Sequence, residues 1–255
     1  LSGMPNSNFD AGAWKSVLEN CEVVPSIFHL INTTEYYVAY FSSKVSVNLS
    51  VVLYDSNQPV GVMPLMVHKN DRDIWIISSN GTDIVEPIFL PTIARKVRKK
   101  HETQLMKMLY RLSEALEVSK CHFTNMSHEK LSNWYLIWAE RANDQHSTHH
   151  LLVDLSFSLE NIRLSFRKSF KPLVTKGLRE WRVEVHEIIS DELFSKFRLL
   201  HKEVAGGSTR PIESWAVQKK QIDMLESFLV TVSDSYGDMV GAGLFTHTSG
   251  HGLYC

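Results

Sequence analysis

The chain is short of cysteine: Cys21, Cys121 and Cys255 are the only three in 255 residues. So few and so far apart, they form neither a disulfide framework nor a thiolate metal motif. They fit a reducing interior, and a cytoplasmic location is expected. Net charge is also nearly absent, since 27 Lys and Arg stand against 28 Asp and Glu. That balance excludes a protein-wide field for nucleic acid and makes any anion binding a local matter. No apolar run reaches the ~18 residues that cross a bilayer, and no charged-then-apolar leader opens the sequence, so no membrane span is expected. There is no Gly-x-Ser-x-Gly elbow and no cysteine in a nucleophile motif, which argues against covalent catalysis. Twelve histidines are spread along the chain without a zinc signature, so no metal is expected.

What the chain does contain is a pair of similar stretches. Asp55–His68 and Asp234–His247 each span fourteen residues from Asp to His. Each follows an apolar strand, Leu49–Tyr54 or Phe228–Val232, turns on polar residues and returns through Val60-Gly61 or Val240-Gly241. Recurrence at this distance suggests two similar domains in tandem, not a small-unit solenoid. The length has room for two domains, and the polar stretch Asn143–His149 marks the expected boundary, giving units over 1–147 and 148–255. The sequence starts without Met and stops at Cys255 inside an apparent strand, Gly252–Cys255. The expectation is therefore a fragment whose second unit is truncated at its C-terminal side and whose activity alone is doubtful.

Periodicity predicts helices over Ala11–Glu19 and Ser26–Phe41, the second broken at Asn32–Thr34. Strands follow at Val45–Tyr54, Val60–His68 and Asp73–Ser78, then a turn at Asn80–Asp83 and an extended Val85–Pro91. Glu102–Val118 is amphipathic, with Leu105, Met108, Leu109, Leu112 and Leu116 at helical spacing. The basic Arg95–Lys100 run before it is expected to be a solvent-facing loop. Cys121–Asn125 suggests a strand and Leu131–Ala142 a helix. The second half repeats this order in outline. His150–Leu155 is a strand, Leu159–Gly177 a basic helix or helix pair interrupted at Pro172, and Trp181–Ile188 a strand. Asp191–Val204 is a helix capped by Ser190, Ile212–Ser227 another, and Phe228–Val232, Met239–His247 and Gly252–Cys255 are strands. Helices followed by a meander give an α+β order, not alternating βαβ.

Two segments carry candidate chemistry. Arg163, Arg167, Lys168, Lys171, Lys176, Arg179 and Arg182 crowd one stretch opposed only by Glu180. Arg163, Arg167 and Lys171, at i, i+4 and i+8, are expected to share one helix face, a stripe able to hold phosphates or simply a solvated surface. In Ala205–Trp215, Gly206-Gly207 permits a left-handed backbone. Ser208 and Thr209 offer hydroxyls, Arg210 an anion fork and Trp215 an apolar wall, together a candidate acyl-acceptor or carboxylate site. Alternatively, Ser208 or Thr209 caps the following helix. An amine nucleophile needs a base, and His201, Glu203, His247 and His251 are the candidates.

The order β, α, α, then a meander with Val-Gly in its middle strand resembles the GNAT acyltransferase fold. Two such units in tandem, joined by a basic helix, resemble the FemAB-like aminoacyl/acyltransferases. The sharpest match is Arg163–Arg179, preceded by Val153–Ser156. Gly237–Ala242 is similar to the family's meander, and Ala205–Trp215 looks like a subgroup signature with no role attached. The resemblance implies an α+β fold of antiparallel-rich mixed sheets with helices on both faces. It also implies an N-acyltransferase: an acyl, acetyl or aminoacyl group passes from an activated donor to a small-molecule or sugar-linked amine. The donor, acetyl-CoA, another acyl-CoA or aminoacyl-tRNA, stays open. Phosphate binding would fall to the basic segment, while substrate contacts at Thr209, Arg210 and Trp215 rest on the side chains of that loop alone. The backbone of Val240, Gly241 and Ala242 would polarise the donor carbonyl. One departure is that Asn80–Asp83 lacks the family's Gly-rich pyrophosphate loop, and Asp83 and Glu86 would repel a pyrophosphate there. Two other classes remain: a non-catalytic ligand-binding protein on a degenerate GNAT scaffold, and an RNA- or tRNA-contacting module using Arg163–Arg182.

Overall fold

A computed structural model describes residues 10–42, 44–81, 83–125, 131–145 and 153–254. The first half opens with α1 (Ala11–Asn20), capped by the Asp10 carboxylate on the Ala13 amide. After a 3-10 turn at Ile27–His29 comes α2 (Ile31–Tyr40). The break expected at Asn32–Thr34 falls instead at Leu30, and those three polar residues form the first turn of α2, all buried.

The two long strands of the first half are each split. Val45–Tyr54 becomes β1 (Ser46–Asn48) and β2 (Val51–Asp55), and Val60–His68 becomes β3 (Gln58–Met63) and β4 (Met66–Lys69). Pro64 cannot donate to a ladder, so the sheet breaks there. The Ser50 hydroxyl fills the gap by accepting the Leu65 amide at 3.1 Å. With β5 (Trp75–Ser78) and β6 (Ile88–Phe89) this gives two three-stranded sheets, ordered β1-β4-β5 and β2-β3-β6. Every named pairing is antiparallel. The expected strand Cys121–Asn125 contributes one parallel bridge, Phe123 to Ile84.

Helix α3 (Arg95–Ala115) starts well before the expected Glu102. The Arg95–Lys100 run is its first turns and not a loop, because Lys and Arg are good helix formers. Together with α4 (Asn133–Ala139), α3 closes a core of Met63, Leu65, Val67, Ile77, Ile84, Leu105, Leu109, Trp134 and Trp138.

In the second half, α5 (Leu159–Ser165) and α6 (Phe170–Glu180) precede β7 (Arg182–His186). The expected strand at His150–Leu155 is not formed over Val153–Leu155, and its earlier residues lie outside the described ones. Helices α7 (Asp191–Val204) and α8 (Ile212–Asp223) then lead into β8 (Ser227–Ser233), β9 (Met239–His247) and β10 (Gly252–Tyr254). These strands form one antiparallel sheet ordered β10-β9-β8-β7. Alternation along β8 sends Leu229 and Thr231 toward the helices, where Leu229 and Leu244 pack with Phe194, Phe197, Trp215 and Ile222. On the opposite face Val183 and Val185 stay exposed, so among the described residues helices α7 and α8 cover only one face of this sheet, not both as expected.

The two halves meet through polar side chains. Helix α2 packs on α8, and the Asn32 amide donates to Glu226 Oε2 at 2.9 Å while Lys220 pairs with Glu35 at 2.6 Å. This explains the buried polar turn of α2: its asparagine and threonines face a partner helix that also brings Gln218 and Gln221.

Candidate substrate site

The basic segment folds as a helical hairpin, not one helix. Phe166 is extended (ψ 144°) and ends α5, and Ser169 precedes α6. Pro172 does not interrupt anything: it is the third residue of α6, where its missing N–H has no intrahelical partner to lose. Arg163 and Lys171 therefore lie on different helices and do not share a face. They brace the hairpin, Arg163 Nη2 donating to Thr175 Oγ1 at 2.8 Å and Lys171 Nζ to the Leu164 carbonyl at 2.9 Å. The stripe re-forms along α6. Lys168, Lys171, Pro172, Thr175, Lys176 and Arg179 line an open groove of about 630 Å³. Arg179 also borders a second depression of ≈ 650 Å³ with Trp181, Arg182, Ser235 and Tyr236, at the β8–β9 turn. Glu180 pairs with Arg179 at 3.0 Å and lies 3.8 Å from Lys176, whereas the side chains of Arg167 and Lys168 have no ion-pair or hydrogen-bond partner among the described residues. Neither depression is lined by the Gly206–Trp215 loop, the candidate acyl-acceptor or carboxylate site.

The loop builds a different arrangement. Gly206, at φ +70°, ends α7 as a left-handed cap: its amide and that of Gly207 bond the Glu203 and Lys202 carbonyls. Pro211 is the N-cap position of α8 and makes no side-chain cap. Ser208 bonds the Arg210 carbonyl, so neither Ser208 nor Thr209 caps the helix. Arg210 folds back over Trp215, its guanidinium carbon 4.6 Å from the ring centre. Its Nη1 donates to Tyr36 of α2 and to Gln218 of α8, both at 3.1 Å, and Nη2 meets His201 Nε2 at 3.3 Å. A guanidinium only donates, so Nε2 accepts and the imidazole proton sits on Nδ1. Burial first, then the charge of Arg210, holds the His201 pKa below the ordinary histidine value, and the ring is neutral at pH 7. Arg198, one turn before His201, places its guanidinium 5.8 Å from the same Trp215 ring.

Three sequence-predicted residues thus converge: His201, Arg210 and Trp215. The others do not. Glu203 is exposed, and Thr209 is exposed without a side-chain partner among the described residues. His247 ends β9 beside Phe228, with ring centres 5.7 Å apart. Phe228 and its partner Phe245 lie on the sheet face away from α7 and α8, so His247 and His201 do not face a common point. Val240, Gly241 and Ala242 lie on β9, bonded to β8 on one edge. On the other edge β10 pairs only with Phe245–His247, which leaves the Met239–Leu244 stretch without a ladder partner there among the described residues. Sequence reasoning missed Tyr36, Arg198 and Gln218. Arg198 was in principle findable, since Phe194, Phe197, Arg198 and His201 recur at helical spacing on α7. Tyr36 had no signal, because only the packing of α2 on α8 brings it in.

No group of three or more His, Cys, Asp or Glu side chains able to hold a metal ion occurs among the described residues. No helix among them is long and apolar enough to cross a membrane. No protein-family model matches the sequence, and no curated protein matches it. Among solved structures, the chain is similar to L-PGS from Bacillus licheniformis, at 10% identity and a TM-score of 0.47 over 94% of this chain and 62% of that one. It is also similar to FemX, at 12% identity and a TM-score of 0.49 over 87% of this chain and 56% of that one. The chain spans less than two thirds of the length of either.

Proposed function

We propose that the chain carries an N-acyltransferase site, moving an acyl, acetyl or aminoacyl group from a phosphate-bearing activated donor to an amine, on two GNAT-like units in tandem. The observation that carries this reading is the basic groove along α6, which continues through Arg179 to the β8–β9 turn. A chain of almost no net charge concentrates cations there, and Lys168 and Lys171 have no ion-pair partner among the described residues; the phosphates of coenzyme A or of a tRNA end would sit against them. The tandem arrangement is supported by the two similar stretches, which both fold as antiparallel hairpins with Gly61 and Gly241 on the returning strand. The open edge of β9 offers backbone N–H groups to the donor carbonyl. His201, neutral and beside Arg210, is the proton acceptor for the incoming amine once Arg210 turns to a substrate anion. Holding donor and amine together supplies the larger part of the acceleration.

Thermal unfolding with acetyl-CoA, aminoacyl-tRNA and deacylated tRNA in turn tests the donor. At a hundredfold excess over Kd, the correct one is expected to raise the midpoint by roughly 5 °C or more. Replacing Arg167 and Lys168 with Ala, which removes no side-chain hydrogen bond or ion pair among the described residues, is expected to abolish the rise. An equal rise with deacylated tRNA, steeply lost with salt, would favour the RNA-contacting alternative, and no rise with any of the three would sink the donor groove.

A further inference from the structure

Among the described residues the sheet of the second half ends at β7, and that strand is left uncovered. In the order β10-β9-β8-β7 it has a ladder on one side only, and helices α8 and α7 pack over β8 and β9. Val183 and Val185 on the open face are 45% and 62% exposed. Trp181, extended just before the strand, is 50% exposed. Native proteins protect such an edge with a proline, a bulge or charge that repels a second strand. Arg182–His186 contains no proline and pairs with β8 in unbroken register. Its two charges are opposite and satisfy each other, Arg182 Nη2 donating to Glu184 Oε1 at 2.7 Å. An unprotected ladder edge, apolar on one face and balanced in charge on the other, is a template for another strand.

The residues of β7 also select which strand fits. We propose that β7 pairs with β7 of a second copy of this chain, antiparallel about a two-fold axis at Val183. In that register Val183 faces the partner's Val183, and Trp181 faces the partner's Val185. Arg182 stands opposite the partner's Glu184, and Glu184 opposite the partner's Arg182. Every pair is matched, apolar on the open face and of opposite charge on the other. Neighbouring registers are not: a two-fold at Glu184 sets that carboxylate against its own copy, and one at Val185 sets Val183 against the partner's Glu187. The pairing is isologous and closes at two copies, joining two four-stranded sheets into one. It is independent of the acyltransferase reading. Trp181, Arg182 and Glu184 also line the depression at the β8–β9 turn, so the second strand comes to lie beside it.

The test is sedimentation velocity of the 255-residue chain at increasing concentration, where a reversible dimer is expected. Arg182→Glu places carboxylates opposite the partner's Glu184, and Glu184→Arg places guanidiniums opposite the partner's Arg182. Each single variant is expected to raise the dissociation constant at least ~10-fold, since both symmetry-related pairs turn repulsive together. Mixed with each other, the two variants are expected to regain a dimer of near wild-type affinity, because every charge then meets its opposite. A misfolded variant could not give that recovery. Val183→Lys, at an exposed position on the two-fold, is expected to be monomeric. A wild-type chain that stays monomeric at every concentration overturns the proposal and leaves the edge to another occupant. A dimer that survives both single variants lies elsewhere on the molecule, and failure of the mixture to recover it refutes this register. Open-ended assembly would mean that β7 adds to the other edge of the sheet, at β10, and would overturn the two-fold.

Discussion

Replacing Trp215 with alanine is expected to lower the unfolding free energy by about 3–5 kcal/mol. Only 6% of its surface is exposed, and it packs in one cluster with Ile189, Phe194, Phe197, Ile222, Leu229 and Leu244. Phe194 and Phe197 approach its ring edge-on with centres 6.2 and 5.6 Å away, a geometry that adds to simple burial. Alanine would remove this packing and also the surface on which Arg198 and Arg210 rest, leaving two cations over a cavity. Urea unfolding measures the change. Trp215→Phe, which keeps most of the buried volume, is expected to cost less than half as much. A loss below about 1 kcal/mol for the alanine variant, the range of ordinary surface substitutions, would mean that α7, α8 and the sheet are not held together as described.

The second large effect is a fall in stability on acidification, traced to His29. This residue is buried at the join between α1, α2 and the segment before β6. Its Nε2 lies 3.0 Å from the Glu86 carbonyl and its Nδ1 2.9 Å from the Ser26 hydroxyl. The carbonyl only accepts, so Nε2 carries the proton and Nδ1 accepts from Ser26. The neutral ring is satisfied at both ends. Burial pushes its pKa down to about 4 from the ordinary 6.5. The unfolded chain therefore takes up this proton first as the pH falls. The contribution of His29 is fully present above pH 6.5 and is lost progressively toward pH 4, for a total of about 3 kcal/mol. His68 and His201, also lowered mainly by burial, act in the same direction. Denaturant unfolding between pH 7 and 4 checks the effect, with His29→Gln as the comparison, since Gln can still donate to Glu86 but does not titrate in this range. The variant is expected to lose markedly less stability across the window. Equal losses in both proteins would exclude His29 as the source.

Much of the fold was legible because local signals and packing agree. Ser190 caps α7, whose span of Asp191–Val204 matches the sequence reading, and β9 is found at Met239–His247 as expected. Both hairpins appear where polar turn residues separate apolar runs, with Ser56 and Asn57 at positive φ in the first and Gly237 in the second. The misses come from effects that periodicity does not register. Pro64 splits a continuous apolar run between two sheets. Basic residues prolong α3 without an apolar stripe to announce it. An extended Phe166 divides the basic segment and moves Arg163 off the face of Lys171. At the site, His201, Arg210 and Trp215 were visible because they are near one another in sequence, while Tyr36 stands 174 positions from Arg210 and joins only through the contact of α2 with α8.

The most direct test of the account is amide hydrogen exchange of the chain with acetyl-CoA, with free CoA, and with aminoacylated and deacylated tRNA. Exchange follows local opening and ligand protection residue by residue. The account predicts that a donor of one class protects the α5–α6 hairpin whether or not it is acylated. Only the acylated form is predicted to slow exchange along Met239–Leu244 on the open edge of β9. Protection of α5–α6 with no acyl-dependent change on β9, or protection confined to other elements, would contradict acyl transfer at this site.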